Sequence, residues 1–174
     1  WCNDKEQLKI SVVQGNIIQD LKWDKRAVNF IQDRYKELTF AAAADKPELI
    51  IWPEASVPGI LGDDDAVFEQ VFSLAGSLKI DLLVGAVSRS GDSYFNSALF
   101  IDKSGSLSGI YHKLHLVPFG EFIPFKKTFP FLQTIAPIGD IQPGGEYKVF
   151  DKPGKFGVLI CFEDLFPGLS RRFV

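Results

Sequence analysis

Few features of this sequence settle its class by composition. It holds two cysteines, Cys2 and Cys161, in 174 residues. They are too few and too far apart for the disulfide frameworks of small secreted domains, and neither belongs to a zinc-type Cys-x-x-Cys pair. A Cys2–Cys161 bridge is disfavoured on the same ground. Its two histidines, His112 and His115, have no third metal-type residue beside them, so they read as supporting polar groups and no metal is expected. No apolar run approaches the ~20 residues that a bilayer-crossing helix needs, and no charged segment leading into an apolar stretch opens the chain as a secretion signal would. Neither sign of charge dominates, because 19 Lys and Arg are interspersed with 22 Asp and Glu for a formal charge of −3. Without a basic stripe to follow a phosphate backbone, nucleic acid is not an expected partner. Internal repeats and low-complexity tracts are also lacking.

What is present is 46% apolar content, enough for the core of one domain of this length. Leu8 to Gln14 is β-branched and alternating and predicts a strand that Gly15-Asn16 ends. Ala27, Phe30, Ile31, Leu38, Ala41 and Ala42 recur at helical spacing between about Asp24 and Ala44, with Asp24 placed to cap. Glu48 to Trp52 reads as a short strand buried on both faces. Asp63-Asp64-Asp65 suits the positive end of a helix dipole and announces a second helix through Leu78, after which Asp81 to Val87 returns as a strand. Strand, helix, strand, helix, strand favours an α/β layered architecture. Turn clusters at Ser90-Gly91-Asp92 and Lys103-Ser104-Gly105 then bracket a hairpin, 94–101 against 107–111. Residues 112–146 are rich in proline and aromatics without a clean period and read as a long structured loop, a kind that is usually functional. A last hairpin, 147–150 and 156–160, delivers Cys161 at a strand end.

Three residues at strand exits can carry chemistry. Cys161 emerges where an apolar strand meets a turn, a usual mounting for a catalytic group, although free cysteines are also common in cores. Glu54 lies just beyond the buried strand ending in Trp52, where desolvation suits a carboxylate to take a proton from a thiol; the alternative is an exposed loop acid. Lys113 follows the hairpin with apolar neighbours, and an ammonium in a dry site would favour a thiolate and stabilise an oxyanion, whereas a lone surface lysine merely snorkels. Each signal is weak alone; together, three strand exits are what a layered fold could bring into one pocket.

These strings resemble the nitrilase, or carbon-nitrogen hydrolase, superfamily: Trp52-Pro53-Glu54, Tyr111-His112-Lys113-Leu114-His115-Leu116 and Ile160-Cys161-Phe162-Glu163. The stretch His115-Leu116-Val117-Pro118-Phe119-Gly120-Glu121-Phe122-Ile123-Pro124, with Val13-Gln14-Gly15-Asn16 and Leu21-Lys22-Trp23-Asp24, is similar to the catalytic domain of the bacterial apolipoprotein N-acyltransferase family. The resemblance implies an α-β-β-α sandwich, incomplete at its C-terminus, over 8–174, preceded by a linker at 1–7 from a region that is membrane-embedded in the family. It implies a Glu54–Lys113–Cys161 triad without cofactor. Glu121 becomes a second carboxylate orienting lysine and cysteine, Glu163 and Phe162 flank the nucleophile, and Trp23 lies near a lipid entrance. The position matching Phe162 can be tyrosine in the family, so no hydroxyl-dependent role carries over. The activity implied is acyl transfer from a phospholipid, through a cysteine thioester, to the α-amine of a diacylglyceryl-cysteine apolipoprotein, at the bacterial inner membrane with the catalytic domain facing the periplasm. Phe119, Phe122, Phe125 and Phe129, with Phe131 and Ile135, form an expected apolar mouth, and Lys126 and Lys127 sit at headgroup level; packing under a loop is the alternative. The rival functions are a hydrolytic amidase or nitrilase using the same triad, and an inactive nitrilase-like binding module.

Overall fold

A computed structural model describes residues 7–18, 21–22, 24–117, 121 and 141–173. One sheet organises them. β1 (Ile10–Val12) and β2 (Leu49–Ile51) run parallel to β4 (Asp81–Ser90), which continues antiparallel into β5 (Ser93–Ile101) and β6 (Leu107–His112). A short strand not expected from the sequence, β3 (Ile60–Leu61), also runs parallel to β4. β2 pairs with Asp81–Leu83 and β3 with Val87–Ser88, so both border the same edge of β4. The chain between them must leave the sheet and return, and Glu54 rides on that excursion.

Alternation divides the core. Ile50, Leu82, Val84, Ala86, Leu99 and Ile101 meet α1 (Val28–Ala43) and α2 (Asp65–Leu78) through Ile31, Tyr35, Phe68, Val71, Leu74 and Ala75. On the opposite face Leu49, Leu83, Ala98, Phe100 and Tyr111 pack under Phe150 and Ile160, from the region of the two-stranded sheet β7 (Val149–Phe150) and β8 (Phe156–Gly157). Burial on both faces explains why β4 is nearly continuous in apolar residues. Tyr35 stacks on Trp52 at 4.8 Å, and Trp52 donates its indole N–H to Thr39 Oγ1 at 3.0 Å, which fixes α1 over the exit of β2. Among the described residues no helix is long and apolar enough to cross a membrane.

The architecture is the expected α/β arrangement, with three local corrections. Asp24 caps a 3-10 turn, Lys25–Ala27, ahead of α1, because its carboxylate accepts the Arg26 backbone N–H at 2.9 Å. The first strand is only three residues long. The strand expected over 156–160 stops at Gly157, and the Ile160 N–H is taken by Glu163 Oε2 at 2.8 Å instead of a neighbouring strand. Cys161 therefore leaves an extended segment rather than a paired strand end.

Candidate active site

Glu54 is held from beneath. After β2, Trp52 N donates to Leu83 O at 2.8 Å, and the chain then climbs off the sheet through Ala55 at φ +47°. Ser56 N, Ser56 Oγ and Val57 N all end on Gly85 O, at 2.8, 3.0 and 3.2 Å. That approach needs a glycine in β4, since a Cβ on Gly85 would lie 2.6 Å from Glu54 Cα and 2.8 Å from Ala55 N. Lys22 caps the turn from outside, donating to the Glu54 carbonyl at 3.2 Å. The Glu54 side chain is left 36% exposed.

Lys113 follows β6 directly. Its N–H donates to Asn96 O and its carbonyl accepts from Gly144 N, both at 2.8 Å, continuing the ladder in which Ala98 faces Tyr111. The side chain is 1% exposed, yet its ammonium is not alone: Nζ lies 2.8 Å from Glu121 Oε2 and 3.5 Å from Glu54 Oε1. A buried charge is tolerated only when paired, which turns the isolated-surface-lysine alternative away. Glu121 Oε2 also accepts the Val117 N–H at 2.9 Å, while the Asn96 side-chain amide donates to Glu54 Oε1 and Glu121 Oε1, each at 2.6 Å.

Cys161 opens the 3-10 helix Cys161–Leu165 at φ +52°, with an exposed free thiol. A non-glycine residue in this left-handed region turns sharply and carries its side chain clear of the chain on either side. The turn is anchored by Glu163, fully buried, which accepts from Tyr111 Oη at 2.9 Å, Leu114 N at 2.7 Å, His115 N at 3.1 Å and Ile160 N at 2.8 Å. Burial and the Glu163 carboxylate push the Tyr111 phenol far above its ordinary range, which keeps it a donor. Phe162 is exposed and meets Phe166 edge-on at 5.6 Å; Phe166 in turn stacks on His115 at 4.5 Å. His112 points elsewhere, to the buried Ser97 hydroxyl at 2.9 Å, and Ser97 bonds Ser88 at 2.7 Å.

The structure thus gathers Glu54, Lys113 and Glu121 into one charged cluster and ties the Cys161 turn to the two residues that follow Lys113. Trp23, Phe119, Phe122, Phe125 and Phe129 lie outside the described residues, as do Cys2, Lys126, Lys127, Phe131 and Ile135. Three contributors escaped the sequence reading. Asn96 left a trace, being polar within an apolar strand; Gly85 sits inside a strand, where glycine marks a close backbone approach; Tyr111 looks like any core aromatic. A cavity of about 450 Å³ between α1 and α2 is lined by Tyr35, Trp52, Val71 and Leu74 but not by Lys113, Glu121 or Cys161.

Known proteins agree with this architecture. The carbon-nitrogen hydrolase family profile matches residues 9–173. An apolipoprotein N-acyltransferase of Geobacter metallireducens is 38% identical over 95% of this chain and 33% of its own length. One from Synechocystis is 32% identical over 96% of the chain and 33% of its own length. The chain therefore spans about a third of the length of the curated relatives it matches. A solved structure of a Nesterenkonia amidase from the nitrilase superfamily superposes with a TM-score of 0.70 at 17% identity, covering 95% of this chain and 60% of that one, which speaks for the fold. On the family match and the fold, this chain belongs to the carbon-nitrogen hydrolase family.

Proposed function

We propose that this chain is the catalytic part of an N-acyltransferase that moves a fatty acyl group from a phospholipid to the α-amine of a diacylglyceryl-cysteine apolipoprotein. The observation that carries the reading is Lys113, a fully buried ammonium between two glutamates at the end of β6, followed directly by Leu114 and His115, whose N–H groups bind Glu163 in the turn that carries an exposed thiol. The relatives named apolipoprotein N-acyltransferase support the choice of acyl transfer. In this reading the enzyme works at the bacterial inner membrane with this part facing the periplasm, and Trp23, Phe119, Phe122, Phe125 and Phe129 serve the lipid substrate.

In this scheme Glu54 takes the proton of the Cys161 thiol, and the thiolate attacks the ester carbonyl of the phospholipid. Lys113 faces the developing oxyanion. As the C–O bond breaks, Glu54 returns the proton to the departing alcohol, leaving a lysophospholipid and an acyl thioester. The lipoprotein amine then attacks the thioester, its proton passes to Glu54, the C–S bond breaks, and the sulfur is reprotonated. Glu121 and Glu163 act by position, one on the lysine and one on the turn beneath the cysteine.

Intact mass spectrometry of the full-length protein incubated with phospholipid tests this. One added acyl group is expected, absent in Cys161→Ser and discharged by an amine-terminated diacylglyceryl peptide. An unmodified protein would sink the reading, and discharge into water alone would replace it with a hydrolase.

A further inference from the structure

Asn96 lies in β5 opposite Val87 and one step beyond the Ser97–His112 pair, where the Lys113 N–H donates to its carbonyl, so it and Lys113 are cross-strand neighbours on one face. The two hydrogens of its amide nitrogen reach two different carboxylates, Glu54 Oε1 and Glu121 Oε1, each at 2.6 Å. The amide can face only this way, since the reverse orientation would press its oxygen against both anionic groups. Its own oxygen is buried and has no partner among the described residues. An unmatched buried acceptor is costly, and a smaller apolar side chain at this strand position would avoid it; the compensating gain lies in the two donors.

These contacts close a ring. Lys113 Nζ and Asn96 Nδ2 each touch both carboxylates, the lysine at 3.5 Å from Glu54 and 2.8 Å from Glu121. Two carboxylates and one ammonium leave one negative charge uncompensated, and a second cation here would neutralise the charge a base requires. An uncharged double donor holds the glutamates apart and aims them without removing that charge. We infer that Asn96 is a positioning residue of the acyl-transfer site, a two-handed clamp that sets Glu54 against Lys113 and Glu121 through hydrogen bonds to both carboxylates.

This rests on the acyltransfer reading above, and the test separates the two. In the full-length protein, Cys161 acylation from phospholipid vesicles is followed by mass in wild type, Asn96→Ala and Asn96→Leu; the leucine keeps roughly the volume but lacks both N–H groups and adds no charge. Loss of hydrogen bonds to charged groups is expected to lower kcat about 10- to 100-fold, with KM within about twofold and the melting temperature unchanged. Either variant turning over at the wild-type rate would overturn the clamp. So would a loss of kcat that only follows a loss of folded protein, which is the signature of a structural role. Absence of acylation in wild type would overturn the acyltransfer reading instead.

Discussion

Glu163 Oε1 accepts the backbone N–H of Leu114 at 2.7 Å, and through that bond the turn carrying Cys161 is fastened to the residue after Lys113. Tyr111 Oη, His115 N and Ile160 N complete the set of donors around a carboxylate with no exposure to solvent. Two segments 48 residues apart in sequence, His115 and Glu163, are thereby held in register. A charge buried this deeply is stable because each face of it meets a donor.

Replacing that carboxylate should cost both stability and activity. Glu163→Gln turns part of an acceptor into a donor facing other donors, and is expected to destabilise by about 2–4 kcal/mol. Urea unfolding measures it, together with the rate at which iodoacetamide alkylates Cys161. A loss under about 0.5 kcal/mol, the level of an ordinary surface change, would show that the contact does not anchor the turn.

Gly85→Ala tests the seat of Glu54. Its Cβ would lie 2.6 Å from Glu54 Cα, against backbone that cannot swing aside like a side chain. Overpacking of this kind costs roughly 1–3 kcal/mol, and a displacement of ~1 Å at a catalytic group costs roughly a hundredfold in rate. Acyl transfer should therefore fall far more than the melting temperature; equal activity would release Gly85 from this role.

Lys113 separates two carboxylates, so Lys113→Met leaves them facing each other without their cation. Transfer is expected to drop by about a hundredfold or more, as for removal of an oxyanion donor. Lys113→Arg should not restore it, since a planar fork does not fit where a compact ammonium sits. Full rescue by arginine, read in the same acylation assay, would mean that charge alone suffices.

His112 supplies a pH dependence. Burial lowers its pKa from the ordinary 6.5, and the ring is held by Ser97 Oγ at 2.9 Å and lies 4.4 Å from Phe95. The unfolded chain then binds a proton more readily than the folded one, so this contribution to stability is present above about pH 6.5 and is lost as the pH falls through the folded value. The stability gap between wild type and His112→Gln should narrow on acidification across that window. A gap that stays constant in chemical denaturation would refute the assignment.

The chain order of strands and helices, the split of apolar residues between two faces, and the strand exits at Glu54 and Lys113 follow from local pattern, because periodicity and turn chemistry act over a few residues. Cys161, Lys113 and Glu54 stood out as candidates for the same reason, Glu54 and Cys161 following an apolar run that had to end and Lys113 following a hairpin strand. What lay beyond the sequence is contact across it. No local signal tells that Gly85 will lie under Glu54, that Asn96 will join Glu54 to Glu121, or that Glu163 will take four donors from Tyr111, Leu114, His115 and Ile160. Nor does any local pattern show that β3 returns to the same edge of β4 as β2, which is what lifts Glu54 out of the sheet. Sequence determined which groups are available and where the chain turns; packing decided their distances, since only the folded sheet makes residues tens of positions apart compete for the same buried space.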